Sequence, residues 1–256
     1  MFVMLLLAGN ELAGEPVRVR YKEGLVHGYL GLSTQDGKRL ASGDLIQTAR
    51  GDRVTTRVVF HFTDGSVYDE TSVYAQARYL RLLRNHLVQK GPAFPQPIDL
   101  SIDAMSGQVI VKYTEDDRQQ KTVSEKIDIP ADLSNGLLLT LLKNIQPGAP
   151  PKELSLIVAT PKPRLVKLAI LDGGKEPFST AGADRTAIHY IVKVKIGGIA
   201  GVFAPLLGKQ PPDSHVWILG GEAPAFAKSE QLFFLGGPLW RIELVSPVWP
   251  RGKVPR

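Results

Sequence analysis

Residues 53–62 read Arg-Val-Thr-Thr-Arg-Val-Val-Phe-His-Phe (RVTTRVVFHF). In an extended chain successive side chains alternate between faces, so Val54, Val58, Phe60 and Phe62 share one side. Arg57 and His61 take the other. This alternation predicts a strand with one buried face. Immediately after it, Asp64-Gly65 offers the positive φ that a tight hairpin turn requires, and Asp36-Gly37 and Ser106-Gly107 do the same between neighbouring runs. Val109, Val111 and Tyr113 repeat the alternation in QVIVKYTE. Short turns imply antiparallel pairing, because parallel strands need long crossovers. The three prolines of Pro92–Pro97 (PAFPQP) remove ladder donors and mark a loop between two parts of one sheet.

The C-terminal half carries the same signals. ELSLIVAT, RLVKLAIL, RTAIHYIVKVKI, HVWIL, EQLFFL and LWRIELV read as strands. In the third of these, Ile188, Tyr190, Val192, Val194 and Ile196 share one face, and His189, Lys193 and Lys195 the other. One long helical pattern interrupts them. Leu133, Leu137, Leu138, Leu141, Leu142 and Ile145 fall on one side of a 3.6-residue helix, with Asn135, Lys143 and Asn144 on the rest, and Pro147-Gly148 ends it. The expected fold is mainly β: a curved antiparallel sheet or half-barrel with one or two covering helices. Gln146–Lys152 is a candidate linker, but halves split there would each leave an open sheet edge. A single β-rich domain over residues 17–250 is therefore expected.

The composition suits an ordinary globular chain. Of 256 residues, 43% are hydrophobic and 22% charged, enough to bury a sizeable core without metal or disulfide staples. There are no cysteines, which excludes disulfides, thiolate metal sites and cysteine nucleophiles. The formal net charge of +6 favours anionic partners, but the basic residues are spread along the chain. Their densest stretches are Arg78 to Lys90, Lys162 to Lys167 and the tail 251–256. Sparse aromatic and basic interleaving gives no platform for nucleic acid.

The chain opens MFVMLLLAGN, an apolar run followed by small residues and the polar ELAGEP. Residues 1–16 read as a signal-peptide remnant, although the usual basic leader is missing, which implies a periplasmic or secreted protein. Asn10 stands where a lipoprotein would need cysteine. No later stretch approaches the ~20 apolar residues of a transmembrane helix.

Catalytic motifs are absent. Gly197–Lys209 (GGIAGVFAPLLGK) ends in Gly-Lys but has the wrong spacing for a phosphate loop: Phe203 replaces the first glycine and Gln210 the hydroxyl. The five histidines have no local metal-site spacing, so neither a metal nor a cofactor is expected. Asp69-Glu70 is the most conspicuous acidic pair, yet adjacent strand residues point to opposite faces and cannot act jointly on one substrate. There is no Gly-x-Ser-x-Gly elbow. The three tryptophans, Trp217, Trp240 and Trp249, gather in the last quarter of the chain. Core packing is their default role. The candidate binding site is an apolar pocket walled by Trp217 and Trp240, with Lys209 meeting a head group, since Arg241 should point away from Trp240.

DGSVYDET, HLVQKGPAFPQP, ATPKPRLVKL, APLLGKQPPDSHVWILGGEAPAF and GGPLWRIELVSPVW together resemble an uncharacterised group of bacterial proteins with export signals. No site residue follows from that resemblance. More loosely, many antiparallel strands with one covering helix are similar in architecture to the half-barrel of periplasmic lipoprotein carriers. The functional expectation is a non-catalytic cell-envelope protein that binds an apolar or amphipathic ligand such as a lipid, or an envelope protein partner. The alternatives are an envelope hydrolase acting on acidic polysaccharide or lipid, and a structural module.

Overall fold

The computed structural model describes residues 14–114, 119–159, 162–180, 183–195 and 211–246. The strands of the first half are β1 (Val26–Ser33), β2 (Arg39–Arg50), β3 (Arg53–Phe62), β4 (Val67–Gln76), β5 (Leu80–Lys90), β6 (Ile98–Asp103), β7 (Gln108–Thr114) and β8 (Gln120–Lys126). Helix α1 (Leu138–Asn144) follows. The second half contributes β9 (Lys152–Val158), β10 (Arg164–Thr180), β11 (Ala183–Lys195), β12 (Ser214–Leu219), β13 (Ala225–Leu232) and β14 (Leu239–Leu244).

All fourteen described strands join one antiparallel sheet. Its order runs from β8 back to β1, then from β14 back to β9. Each half is thus a meander, and the first and last strands pair at the centre, with Leu30 opposite Leu244 and Leu32 opposite Ile242. The hairpin glycines adopt the positive φ their turns require: 92° at Gly37, 85° at Gly65 and 78° at Gly107. Residues 91–97 loop between β5 and β6, as the prolines dictate.

The sheet curves without closing. Its edges, β8 and β9, are consecutive in the chain, and residues 127–151 connect them across the concave face. Both wings bury apolar residues against this connection. Leu137, Leu141 and Leu142 pack in one core with Leu100, Ile102 and Val109 of the first wing and Leu154, Ile170 and Tyr190 of the second. Leu141 and Leu142 are 1% and 0% exposed, so α1 covers the sheet as its leucine stripe predicts.

The helix is shorter than that stripe. Leu133 lies in a parallel bridge with Ser155 of β9, and Asn135 exchanges 2.8 Å hydrogen bonds with the Ile157 backbone in both directions. Gly136, at φ 59°, then breaks the chain direction before α1. The apolar period runs through this segment, but its polar residues serve the exposed backbone of β9, protecting an edge that would otherwise be open. Asn144 departs from expectation too. It is buried, its Oδ1 accepting from the backbone N–H of Arg20 and Tyr21 at 2.7 and 2.9 Å. Lys143 forms an ion pair with Glu23, and both side chains are largely buried.

Candidate functional site

Cross-strand register places one row of side chains across the inner face. Gly28 of β1 faces Leu45 of β2, Leu45 faces Val58 of β3, Val58 faces Glu70 of β4, and Glu70 faces Leu87 of β5. The row continues to Leu100 and Val111, both buried beneath the helix segment. Directly paired residues of antiparallel strands project to the same side, so these belong to one surface. Leu45, Val58, Glu70 and Leu87 are only partly buried, and Leu244, against the Gly28 end of the row, is 48% exposed. The result is a partly exposed apolar strip between two packed regions. One is the α1 core. The other is an aromatic cluster of Phe60, Phe62, Phe94, Phe233 and Trp240. Leu139 of α1 packs against both and lies between them.

Glu70 is the one ionisable residue of that row. Its Oε2 accepts from the Tyr68 hydroxyl at 2.6 Å and its Oε1 from Asn85 Nδ2 at 2.9 Å. Asn85 also donates to Ser72 Oγ at 3.0 Å. Burial pushes the Glu70 carboxyl above its usual 4.5, while the bonds from Tyr68 and Asn85 pull it back. Burial, reinforced by the Glu70 carboxylate, holds the Tyr68 phenol well above its ordinary range. Asn85 is 2% exposed, and its Oδ1 has no hydrogen-bond partner. Gly136 passes over this group so closely that a Cβ there would stand 1.9 Å from Ser72 Oγ and 2.9 Å from Glu70 Oε1. No described side chain forms an ion pair with Glu70. The signal for it was present in the alternation: Tyr68, Glu70, Ser72 and Tyr74 share a face, and that face is the inner one.

The two tryptophans proposed to wall a common pocket lie on opposite faces. Trp240 points inward into the aromatic cluster beside Ile242, with Phe233 and Phe62 rings at 5.1 and 5.4 Å. Arg241 points outward, as alternation requires, and pairs with Glu230 at 3.1 Å. Trp217 sits between the inward residues Val216 and Ile218 and therefore faces out. Its Nε1 donates to Glu176 Oε2 at 2.7 Å, and its ring stacks on His189 at 4.5 Å. Lys228 Nζ lies 3.9 Å from the Trp217 ring centroid. Lys209 lies outside the described residues.

Beside Trp217 the fold joins two histidines that are far apart in sequence. Glu176 Oε1 lies 3.0 Å from His189 Nδ1, and His189 Nε2 lies 2.9 Å from His215 Nδ1. Burial lowers the His189 pKa from 6.5; Glu176 opposes this, and His215 and Lys228 add to it. The chain Glu176–His189–His215 is a hydrogen-bond relay that holds Trp217 and three strands together. Among the described residues, no three His, Asp or Glu side chains are grouped to hold a metal ion. The acidic neighbours also separate: Asp69 pairs outside with Arg57 at 2.6 Å, and Glu70 turns inside. An open depression of about 360 Å³ on the outer surface of β4–β7 is lined by Thr71, Val73, Arg84, His86, Ser101 and Ile110.

No helix among the described residues is long and apolar enough to cross a membrane, which leaves strand-based crossing unaddressed. No family model matches the chain, and no curated protein does. Among solved structures, it is similar to a crystal structure described as a β-barrel-like protein of Domain of Unknown Function DUF1849 from Brucella abortus. The match has a TM-score of 0.49 and 11% identity, covering 90% of this chain and 97% of that one.

Proposed function

We propose that this is a cell-envelope protein that binds an apolar or amphipathic ligand, such as a lipid, in the groove between the inner sheet face and α1. One observation carries the reading. The row Leu45, Val58, Glu70, Leu87 leaves apolar side chains partly exposed on a concave surface beside Leu139. Apolar surface left uncovered there gains free energy by taking an apolar partner, at roughly 25 cal/mol per Å² buried. An alkyl chain along Leu45, Val58 and Leu87 would bring its polar end to Glu70. The hydrolase alternative would need a second carboxyl facing Glu70, and Asp69 is on the other side of the sheet. The envelope assignment rests on the apolar run of residues 1–7, the small Ala8 and Gly9 after it, and the polar segment that follows.

Titration calorimetry with decanol tests the groove. Saturable binding is expected, and Val58→Trp, which fills the groove with a larger apolar side chain, should weaken it at least about tenfold, or ~1.4 kcal/mol. Native mass spectrometry of protein purified from its own envelope should show a copurified amphiphile. Unsaturable partition of decanol, equal in Val58→Trp, together with a bare mass from the native source, would end this reading.

A further inference from the structure

We infer that the groove selects an amphiphile whose head group is a primary amine, placed as an ammonium against Glu70 and Asn85. This rests on the groove reading and names the chemistry of its polar end. Two independent features point the same way.

The first is charge. Glu70 is a carboxyl on an otherwise apolar row, enclosed by Tyr68, Asn85 and Gly136, and no cation among the described residues lies within ion-pair distance of it. Buried carboxylates elsewhere in the fold are paired: Glu23 has Lys143, and Asp132 has Lys167 at 3.5 Å. A carboxylate taken from water without a counter-ion is costly, and a cation brought by a ligand offsets that cost.

The second is a hydrogen-bond deficit. Asn85 uses both amide hydrogens, toward Glu70 and Ser72, which fixes its oxygen as the remaining atom. That oxygen is buried and accepts nothing. An orphaned buried acceptor costs about 1–3 kcal/mol, so the site gains by receiving a donor. An ammonium has three donors and no acceptor, so it supplies what both a carboxylate and an amide oxygen lack. A hydroxyl brings one donor and no charge. A carboxylate head adds a like charge and no donor. Gly136 closes over one side of this group, where a Cβ would stand 2.7 Å from Asn85 Nδ2 and 2.9 Å from Glu70 Oε1, so the head group has to approach from the Leu45–Val58–Leu87 side.

Titration calorimetry at pH 7 with decylamine, decanol and decanoate reads the preference directly. Decylamine should bind at least tenfold more tightly than decanol, and decanoate most weakly. Glu70→Gln keeps a polar side chain of similar shape and removes the charge, so it should bring decylamine affinity down to that of decanol. The ranking in the unaltered protein needs no variant, so a folding defect in Glu70→Gln does not blunt the test. Equal binding of all three probes, or tightest binding of decanoate, would overturn the head-group inference and leave the groove standing. Binding of none of the three would overturn both.

Discussion

Asp69 and Glu70 are adjacent in one strand and occupy opposite environments. Asp69 lies on the outer face, where the Arg57 guanidinium bonds both its oxygens at 2.9 and 2.6 Å and holds its pKa below 3.8. Glu70 lies on the inner face with two neutral donors and no cation, and its pKa is raised. The contrast extends to the polar clusters around them. Outside, Glu176, His189, His215 and Trp217 complete one another's hydrogen bonds, and Arg241 satisfies Glu230. Inside, Asn85 Oδ1 is left over, as is Ser229 Oγ. A self-satisfied cluster needs nothing further and reads as structure. A cluster with a half-buried carboxylate, a free acceptor and apolar surface beside it reads as half of an interaction.

The largest expected effect tests whether α1 is the fixed roof of the inner face. Leu141→Asp removes leucine packing worth about 2–5 kcal/mol and buries a second uncompensated carboxylate, so the protein should unfold or lose most of its stability in a thermal melt. A melt matching the unaltered protein would detach the helix from the core. Next is Lys143→Asp. The partner, Glu23, is 8% exposed at its side chain, and the substitution sets a second carboxylate against it. A loss of about 3 kcal/mol in chemical denaturation is expected, whereas the polar-side position read from the helical period alone implies near silence.

The leucine period, the strand alternation and the Gly-turns were legible in the sequence because each is a local rule with a fixed repeat. RVTTRVVFHF becomes β3 with the same bounds, and its inner residues Val54, Phe60 and Phe62 are buried. The start of the helix was not legible, because what ends it is the unmet backbone of β9, a strand reached only after the chain has turned back. The tryptophan pocket failed for a similar reason. Alternation within β14 correctly separates Trp240 from Arg241, but the face of Trp217 relative to Trp240 depends on registry through β13, including an irregularity beside Trp217. Glu70 is legible in the same alternation, which sets it on the inner face with Tyr68, Ser72 and Tyr74.

The opposed pKa shifts give a subtler test. A carboxyl raised above its ordinary value binds its proton more tightly when folded, so stability falls as pH rises above about 4.5 toward the folded value. Asp69 has the reverse sign: its contribution is present above 3.8 and lost as pH falls. Stability measured from pH 4 to 8 should therefore flatten in Glu70→Gln on the alkaline side of 4.5. Asp69→Asn should remove stability at neutral pH and leave that decline in place. Identical profiles for Glu70→Gln and the unaltered protein would show that the inner carboxyl is well solvated.

The smallest effect belongs to the outer cluster. Trp217→Phe loses the bond to Glu176, whose side chain is 46% exposed and can turn to water. A loss of about 1–2 kcal/mol is expected, with decanol and decylamine affinities unchanged. Altered amphiphile binding in this variant would move the site to the outer face.

The most direct measurement is an amide and methyl NMR titration with decylamine. Shifts are expected at Leu45, Val58, Leu87, Leu139 and Gly136, saturating together, while His189, His215 and Trp217 on the opposite face stay still. Shifts concentrated at His189, His215 and Trp217, or no saturable shifts at the inner groove, would contradict the account.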